Sequence, residues 1–203
     1  MVTSMGIIRF KLFEMETPLT TKNFVDLCLG RKAWRDPTTQ RSMRKPLIPG
    51  TTFHRVIPAF MIQGGDPSAT GRGDVGFVTP DEFRQDLVFD RPGRVAMAHA
   101  GIGTAASQFF VTEAEAPWLN GKYTVFGQVV EGMDVVKAIA RVPKDGDDKP
   151  LKPVTIVKVT FEREGPPPPN APEGRAPMKK SNTGAAKPVP SASRPATPAL
   201  KKK

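Results

Sequence analysis

Apolar and polar positions alternate along most of the chain in short runs cut by glycine and proline, and only two stretches take up a helical period. From Ile7 to Phe13, Ile8, Phe10 and Leu12 fall on one side and Ile7, Arg9 and Lys11 on the other, which predicts a half-buried first strand. Strand-like runs recur at 53–63, as two segments joined by Ile57-Pro58, and at 94–99, 108–111, 124–130 and 154–161. Phe24, Leu27 and Cys28 repeat at helical spacing after Thr17-Pro18, an N-cap and a first-turn proline, and before Gly30, so a helix is expected over 18–29. Met133, Val136, Ile139 and Ala140 share one helical face and predict a second helix that stops before Pro143. About eight short strands with two helices imply a mainly β chain, a closed β-barrel capped at its ends by the helices.

The intervening segments read as turns and loops. Residues 31–49 are rich in arginine and lysine, hold three prolines and lack periodicity, which predicts a long solvated insertion. Gly71 to Gly76 reads GRGDVG and matches a dinucleotide-binding pattern, but Phe77-Val78-Thr79-Pro80 follows where a helix would be needed. A flexible glycine-rich loop is the better account. One turn of helix is expected over 79–83, a compact turn at Pro117-Trp118-Leu119 and a tight turn at Asn120-Gly121. Asp145-Gly146-Asp147-Asp148 lacks the ligand spacing and terminal glutamate of a calcium loop and reads as a polar turn.

Composition divides the chain in two. The 203 residues are 38% hydrophobic and carry a net charge of +10, enough apolar material for one sizeable core. Residues 164–203 hold 10 of the 22 prolines, no aromatic residue, 8 Lys/Arg and 2 Glu, so +6 of the charge lies there. Such a segment cannot bury enough apolar surface to offset its ordering entropy, and residues 164–203 are expected to be a disordered basic tail behind a domain at 1–163. The tail has the charge to meet nucleic acid or an acidic partner, but it has no aromatic residue for base stacking, and a solubilising role is the plainer expectation. The single Cys28 excludes an intramolecular disulfide and a cysteine-cluster metal site. No run is long enough to span a membrane and no signal core opens the chain, so a cytoplasmic monomer is expected, or an exported or periplasmic protein if a leader has been removed.

The densest chemistry lies in FHRVIPAFMIQGGD, residues 53–66. On paired strands, Phe53 shares a face with Arg55, and Met61 shares one with Gln63, while Phe60 needs a bend or bulge after Pro58 to join that face. A fixed cation, a neutral amide and an apolar floor make a site with no obvious nucleophile. His54 and His99 have no carboxylate or cysteine partners at metal-ligand or acid-base spacing, so neither a metal nor a cofactor is expected.

Four separated motifs, FHRVIPAFMIQGGDP at 53–67, AMAHAG at 96–101, SQFFVT at 107–112 and WLNGKYTVFGQVVEGMDVV at 118–136, resemble in matching order the cyclophilin family of peptidyl-prolyl isomerases, with a bacterial-like cast. The resemblance implies an eight-stranded antiparallel barrel and cis/trans isomerisation of Xaa-Pro bonds in support of protein folding. Proline-containing segments of folded or unfolded proteins would be its partners. It places the catalytic arginine at Arg55 and the glutamine that orients it at Gln63. Phe60, Met61, Phe110 and Leu119 match the proline pocket, Ala98, His99, Ala100 and Gln108 the groove wall, and Trp118 the rim. Tyr123 stands where the better-known eukaryotic members have histidine, a change that bears on cyclosporin-type drugs, and His99 where asparagine is common. The competing readings are a proline-peptide binding module without turnover and an adaptor driven by the tail. Retention of both Arg55 and Gln63 favours the enzyme.

Overall fold

A computed structural model describes residues 1–165, so the expected tail lies, beyond Gly165, outside the described residues. Among them are strands β1 (Val2–Thr3), β2 (Gly6–Ile7), β3 (Arg9–Leu12), β4 (Trp34–Arg35), β5 (Ser42–Met43), β6 (Thr52–Phe53), β7 (Arg55–Ile57), β8 (Met61–Gly64), β9 (Arg94–Met97), β10 (Phe109–Thr112), β11 (Val125–Glu131) and β12 (Val154–Lys158). Helices α1 (Pro18–Leu29) and α2 (Met133–Ala140) and a 3-10 turn at Pro117–Leu119 accompany them.

Ile8 alone separates β2 from β3, and His54 alone separates β6 from β7, so each pair is one strand that changes partner midway. With these merged and the separate β4–β5 hairpin set aside, eight strands remain. Their pairing closes on itself: β1 with β2, β3 with β11, β11 with β9, β9 with β10, β10 with β8, β8 with β7, β6 with β12 and β12 with β1, every pair antiparallel. The expected barrel is therefore present, and closure leaves none of the eight as an open edge.

Side-chain parity splits β8, β9, β10 and β11 between two apolar clusters, but it breaks at His54, where the strand changes partner: Phe53 lies in the barrel core and Arg55 is half exposed, so the two do not share a face as expected. Val56, Ile62, Phe109 and Val111 point into the barrel with Ile8, Phe53, Phe126 and Ile156. Their neighbours Met61 and Phe110 point outward into a smaller cluster with Phe89, Leu119 and Val125. The first cluster holds the barrel together; the second becomes the floor of a groove. Helix α1 plugs the barrel with Phe24, whose ring packs edge-on to Phe109 at 5.3 Å and to Phe10 at 6.0 Å and tilts against Phe126 at 5.2 Å. Cys28 on the same helix is buried, and desolvation pushes its thiol far up from the ordinary value, consistent with an inert core residue.

Several local expectations are corrected. Val2–Thr3 forms a strand ahead of the expected first one, with the Met1 ammonium donating to the Ile8 carbonyl at 2.9 Å. Residues 31–49 are not wholly solvated: they contain the β4–β5 hairpin and bury Trp34, Leu47 and Ile48. No helix forms over 79–83; Thr79 N donates to Ala105 O at 2.7 Å and Glu82 N to Thr124 Oγ1 at 2.8 Å, which tie the segment to residues distant in sequence. The Thr17 side chain does not cap α1; its hydroxyl donates back to Phe13 O. The Glu82 carboxylate instead accepts from the Leu19 and Thr20 amides at 3.1 and 2.8 Å, a cap delivered from 62 residues away in sequence. Glu82→Ala should lower stability by about 1 kcal/mol, the usual cost of a lost cap, read from the urea midpoint.

Candidate active site

Register brings the site together. Arg55 pairs with Gln63 across β7–β8, Gln63 with Phe110 across β8–β10, and Phe110 with Ala96 across β10–β9. Cross-strand partners face the same side, so Arg55, Gln63 and Phe110 form one row on the outer face, with the backbones of Arg55 and Phe110 two strand spacings, about 10 Å, apart. Ile57 pairs with Met61 one step along, and Met61 with Thr112. Met61 and the Arg55–Gln63–Phe110 row line a groove of about 500 Å³.

Of the expected site residues, Arg55, Gln63, Phe60, Met61, Phe110, Leu119 and Tyr123 line this groove, as do Ala98, His99, Ala100 and Gln108. Trp118 stands beside it, half exposed, its ring 5.7 Å from that of Phe60. Phe60 does join the face. The bend that parity required is Ala59 at φ 58°, within a turn closed by Phe60 N donating to Ile57 O.

The floor is built in layers. Phe110 lies parallel to the fully buried Phe89 at 5.8 Å and meets Tyr123 edge-on at 5.5 Å. Tyr123 stacks on His99 at 4.4 Å, while His99 Nε2 donates to Lys122 O at 2.7 Å and its Nδ1 accepts from Gly101 N at 3.2 Å. The two departures from the family pattern thus form one stacked pair. The Ala98 amide donates to Gln108 O and the Ala100 amide to Thr104 Oγ1.

Arg55 is half exposed, with its Nε 4.0 Å from Asp148 Oδ2. Lys144 Nζ donates to Asp148 Oδ1 at 2.6 Å and to Val56 O at 2.9 Å, and Val56 N donates to Asp148 O, so the turn at 144–148 docks on the outer edge of β7 beside the cation. Gln63 does not bond the guanidinium. Its Nε2 donates to Gln108 Oε1 at 2.9 Å, and Gln108 Nε2 donates to Gly71 O at 3.0 Å, a chain of amides that ties the sheet to the glycine-rich loop.

That loop supplies a wall which the sequence did not assign to the site: Gly71, Arg72, Gly73, Val75 and Phe77 all line the groove. It is stapled in place. The buried Asp66 carboxylate accepts from the amides of Ser68, Thr70, Gly71 and Gly73 and from the Ser68 hydroxyl. A Cβ on Gly73 would lie 2.1 Å from Asp66 Oδ1, so only glycine fits there. The signal was the Asp66-Pro67-Ser68 turn that opens the loop. Asp66→Ala should cost about 2–3 kcal/mol, because several partly buried donors lose their acceptor together.

Two groups make the fold sensitive to acid. Burial pushes the His54 imidazole below its ordinary value, against the pull of the Asp66 charge. Burial alone would raise Asp66, but the Ser68 hydroxyl and the Ser68, Gly73 and Gly71 amides outweigh it and hold the carboxyl below the usual range. A histidine depressed in the folded state binds its proton more readily when unfolded, so stability is full above about pH 6.5 and declines below it. A depressed carboxylate adds a further loss below about pH 4. Urea midpoints should be level from pH 7 to 8 and fall between pH 6.5 and 5, and His54→Gln should flatten that slope.

Comparison with known proteins places the chain. Residues 1–161 match the family model described as cyclophilin type peptidyl-prolyl cis-trans isomerase. Peptidyl-prolyl cis-trans isomerase A of Mycobacterium tuberculosis is 45% identical over 161 residues, covering 78% of this chain and 88% of that protein. Peptidyl-prolyl cis-trans isomerase B of Streptomyces anulatus is 45% identical over 163 residues, covering 79% and 93%. A cyclophilin-type isomerase of Cryptosporidium parvum superposes with a TM-score of 0.69 at 30% identity, covering 81% of this chain and 96% of that one. The chain belongs to the cyclophilin-type peptidyl-prolyl cis-trans isomerase family. No helix among the described residues is long and apolar enough to cross a membrane.

Proposed function

We propose that this chain, a peptidyl-prolyl cis-trans isomerase, turns Xaa-Pro bonds by holding the proline ring on the Phe60–Met61–Phe110–Leu119 floor while Arg55 bonds the twisted amide. The row Arg55–Gln63–Phe110 carries this reading, since it sets a permanent cation at a fixed reach from an apolar floor. Supporting it, the Cryptosporidium parvum isomerase was also solved in the presence of the dipeptide Ala-Pro, and that structure superposes with a TM-score of 0.68.

The chemistry asks little of the site. Xaa-Pro prefers trans by only about 0.5–1 kcal/mol, yet amide resonance makes exchange take on the order of tens to hundreds of seconds. No bond breaks, so the enzyme need only bind the twisted amide better than either planar isomer. In the twisted state the prolyl nitrogen recovers its lone pair. A guanidinium suits it, being always charged and presenting rigid coplanar donors. With the ring fixed, rotation is confined to the acyl side, and lowering the barrier by about 7 kcal/mol gives about a 10⁵-fold acceleration. Gln63 acts through Gln108 and the glycine loop, holding the groove wall beside the cation.

The test follows cis-to-trans conversion of a short Xaa-Pro peptide with the intact chain and with a truncation after Glu164. Both should accelerate it equally, because the described groove residues run from Arg55 to Tyr123, well inside the proposed domain at 1–163. An intact chain no faster than buffer overturns the reading. A truncated chain that alone is slow makes the tail part of the site.

A further inference from the structure

The turn that delivers Phe60 is braced from behind by a buried carboxylate. Between β7 and β8 the chain reverses through Ala59, whose φ of 58° lies where residues bearing a Cβ seldom rest. Within the turn only Phe60 N donating to Ile57 O at 3.2 Å supports that conformation, and the end of β10 meets it twice more. Glu113 Oε2 accepts from Ala59 N at 2.9 Å, and Glu113 N donates to Phe60 O at 2.7 Å. The other carboxylate oxygen, Oε1, lies 2.6 Å from Arg141 Nη1, and the Glu113 side chain is only 4% exposed. Arg141 is itself anchored, its Nη1 donating to Lys137 O in the last turn of α2.

We infer that Glu113 is a positioning residue for the isomerase reaction: with Arg141 it holds Ala59 left-handed and so keeps Phe60 at the groove mouth against Trp118. Glu113 is not among the groove-lining residues, so its effect reaches substrate only through the turn. Two features favour this over a merely fold-stabilising ion pair. Both atoms of Glu113 that meet the turn bond the backbone on either side of the Ala59–Phe60 peptide, which fixes its orientation. The acceptor is also held in a charge-assisted pair, so it cannot swing away from Ala59 without breaking a second bond. The inference rests on the reading of Phe60 as a wall of the proline pocket.

The decisive experiment is a rescue. Glu113→Ala should lose roughly tenfold in kcat/KM for an Xaa-Pro peptide, mostly through KM, as expected for a binding wall shifted by a fraction of an ångström. Ala59→Gly alone should match wild type, because glycine takes φ near 60° without a brace. The double variant Glu113→Ala/Ala59→Gly should return to within about threefold of wild type. A purely structural defect would not be repaired by a glycine in the turn. If Glu113→Ala does not fold, Arg141→Ala, a change at a half-exposed side chain, takes its place, with a loss of roughly threefold that Ala59→Gly again repairs. Wild-type kcat/KM in Glu113→Ala, or in Arg141→Ala where that variant stands in, overturns the proposal, and so does a double variant as slow as its parent. Phe60→Ala separates the two levels: if it retains wild-type activity the pocket reading falls, and if it is slow while Glu113→Ala is not, only the role of Glu113 falls.

Discussion

Arg55→Ala should lose about 100-fold or more in kcat/KM for a short Xaa-Pro peptide while unfolding at nearly the wild-type temperature, the loss typical when one preorganised donor to a transition state is removed. The two halves of that result come from the same geometry. Arg55 projects from the outer face of β7, half exposed, and its one ion pair among the described residues is the 4.0 Å approach to Asp148. An exposed pair at that distance contributes at most about 1 kcal/mol, and Asp148 keeps Lys144 when the arginine goes. Activity should depend on Arg55 and stability should not. Arg55→Lys should recover little, since an ammonium keeps the charge but not the rigid fork of donors. A variant with wild-type kcat/KM would move the catalysis away from the Arg55–Gln63–Phe110 row.

The largest effect on stability is expected in the barrel core. Phe24→Ala removes a fully buried ring that contacts Phe10, Phe109, Phe126 and Phe161 and leaves a cavity where α1 closes the barrel. Loss of a buried phenylalanine costs about 3–5 kcal/mol. For a domain of this size that lowers Tm on the order of 10 °C, measurable by thermal unfolding. Because Phe109 faces Phe24 and its neighbour Phe110 faces the groove, the variant should keep most of its kcat/KM at temperatures where it is folded. An unchanged Tm would mean that the plug is not part of the cooperative core.

The alternation of Phe109 and Phe110, and of Val56 with Arg55, explains why so much of the site was legible in the sequence. A strand period of 2 assigns each residue to the barrel or to the groove, and the motif order then names the strands that must meet. What escaped had no such period. Two-residue strands such as Val2–Thr3 and Trp34–Arg35 are too short to show one. The left-handed turn at Ala59 is carried by an alanine, where a glycine or asparagine would have signalled it. The α1 cap from Glu82 and the Glu113 brace are long-range contacts with no local signature. The glycine-rich loop is legible as a loop but its composition predicts flexibility, because its order comes from the Asp66 carboxylate bonding amides up to seven residues on.

The central claim is that a cation which does not titrate, rather than an acid or base, lowers the barrier to Xaa-Pro rotation. The pH profile of kcat/KM for the intact chain on a short Xaa-Pro peptide tests it most directly. Between about pH 6 and 8 the profile should be flat, because arginine stays charged throughout. A steep bell-shaped dependence in that range would contradict the account and transfer the catalytic role to a histidine, His99 in the groove or His54 behind it.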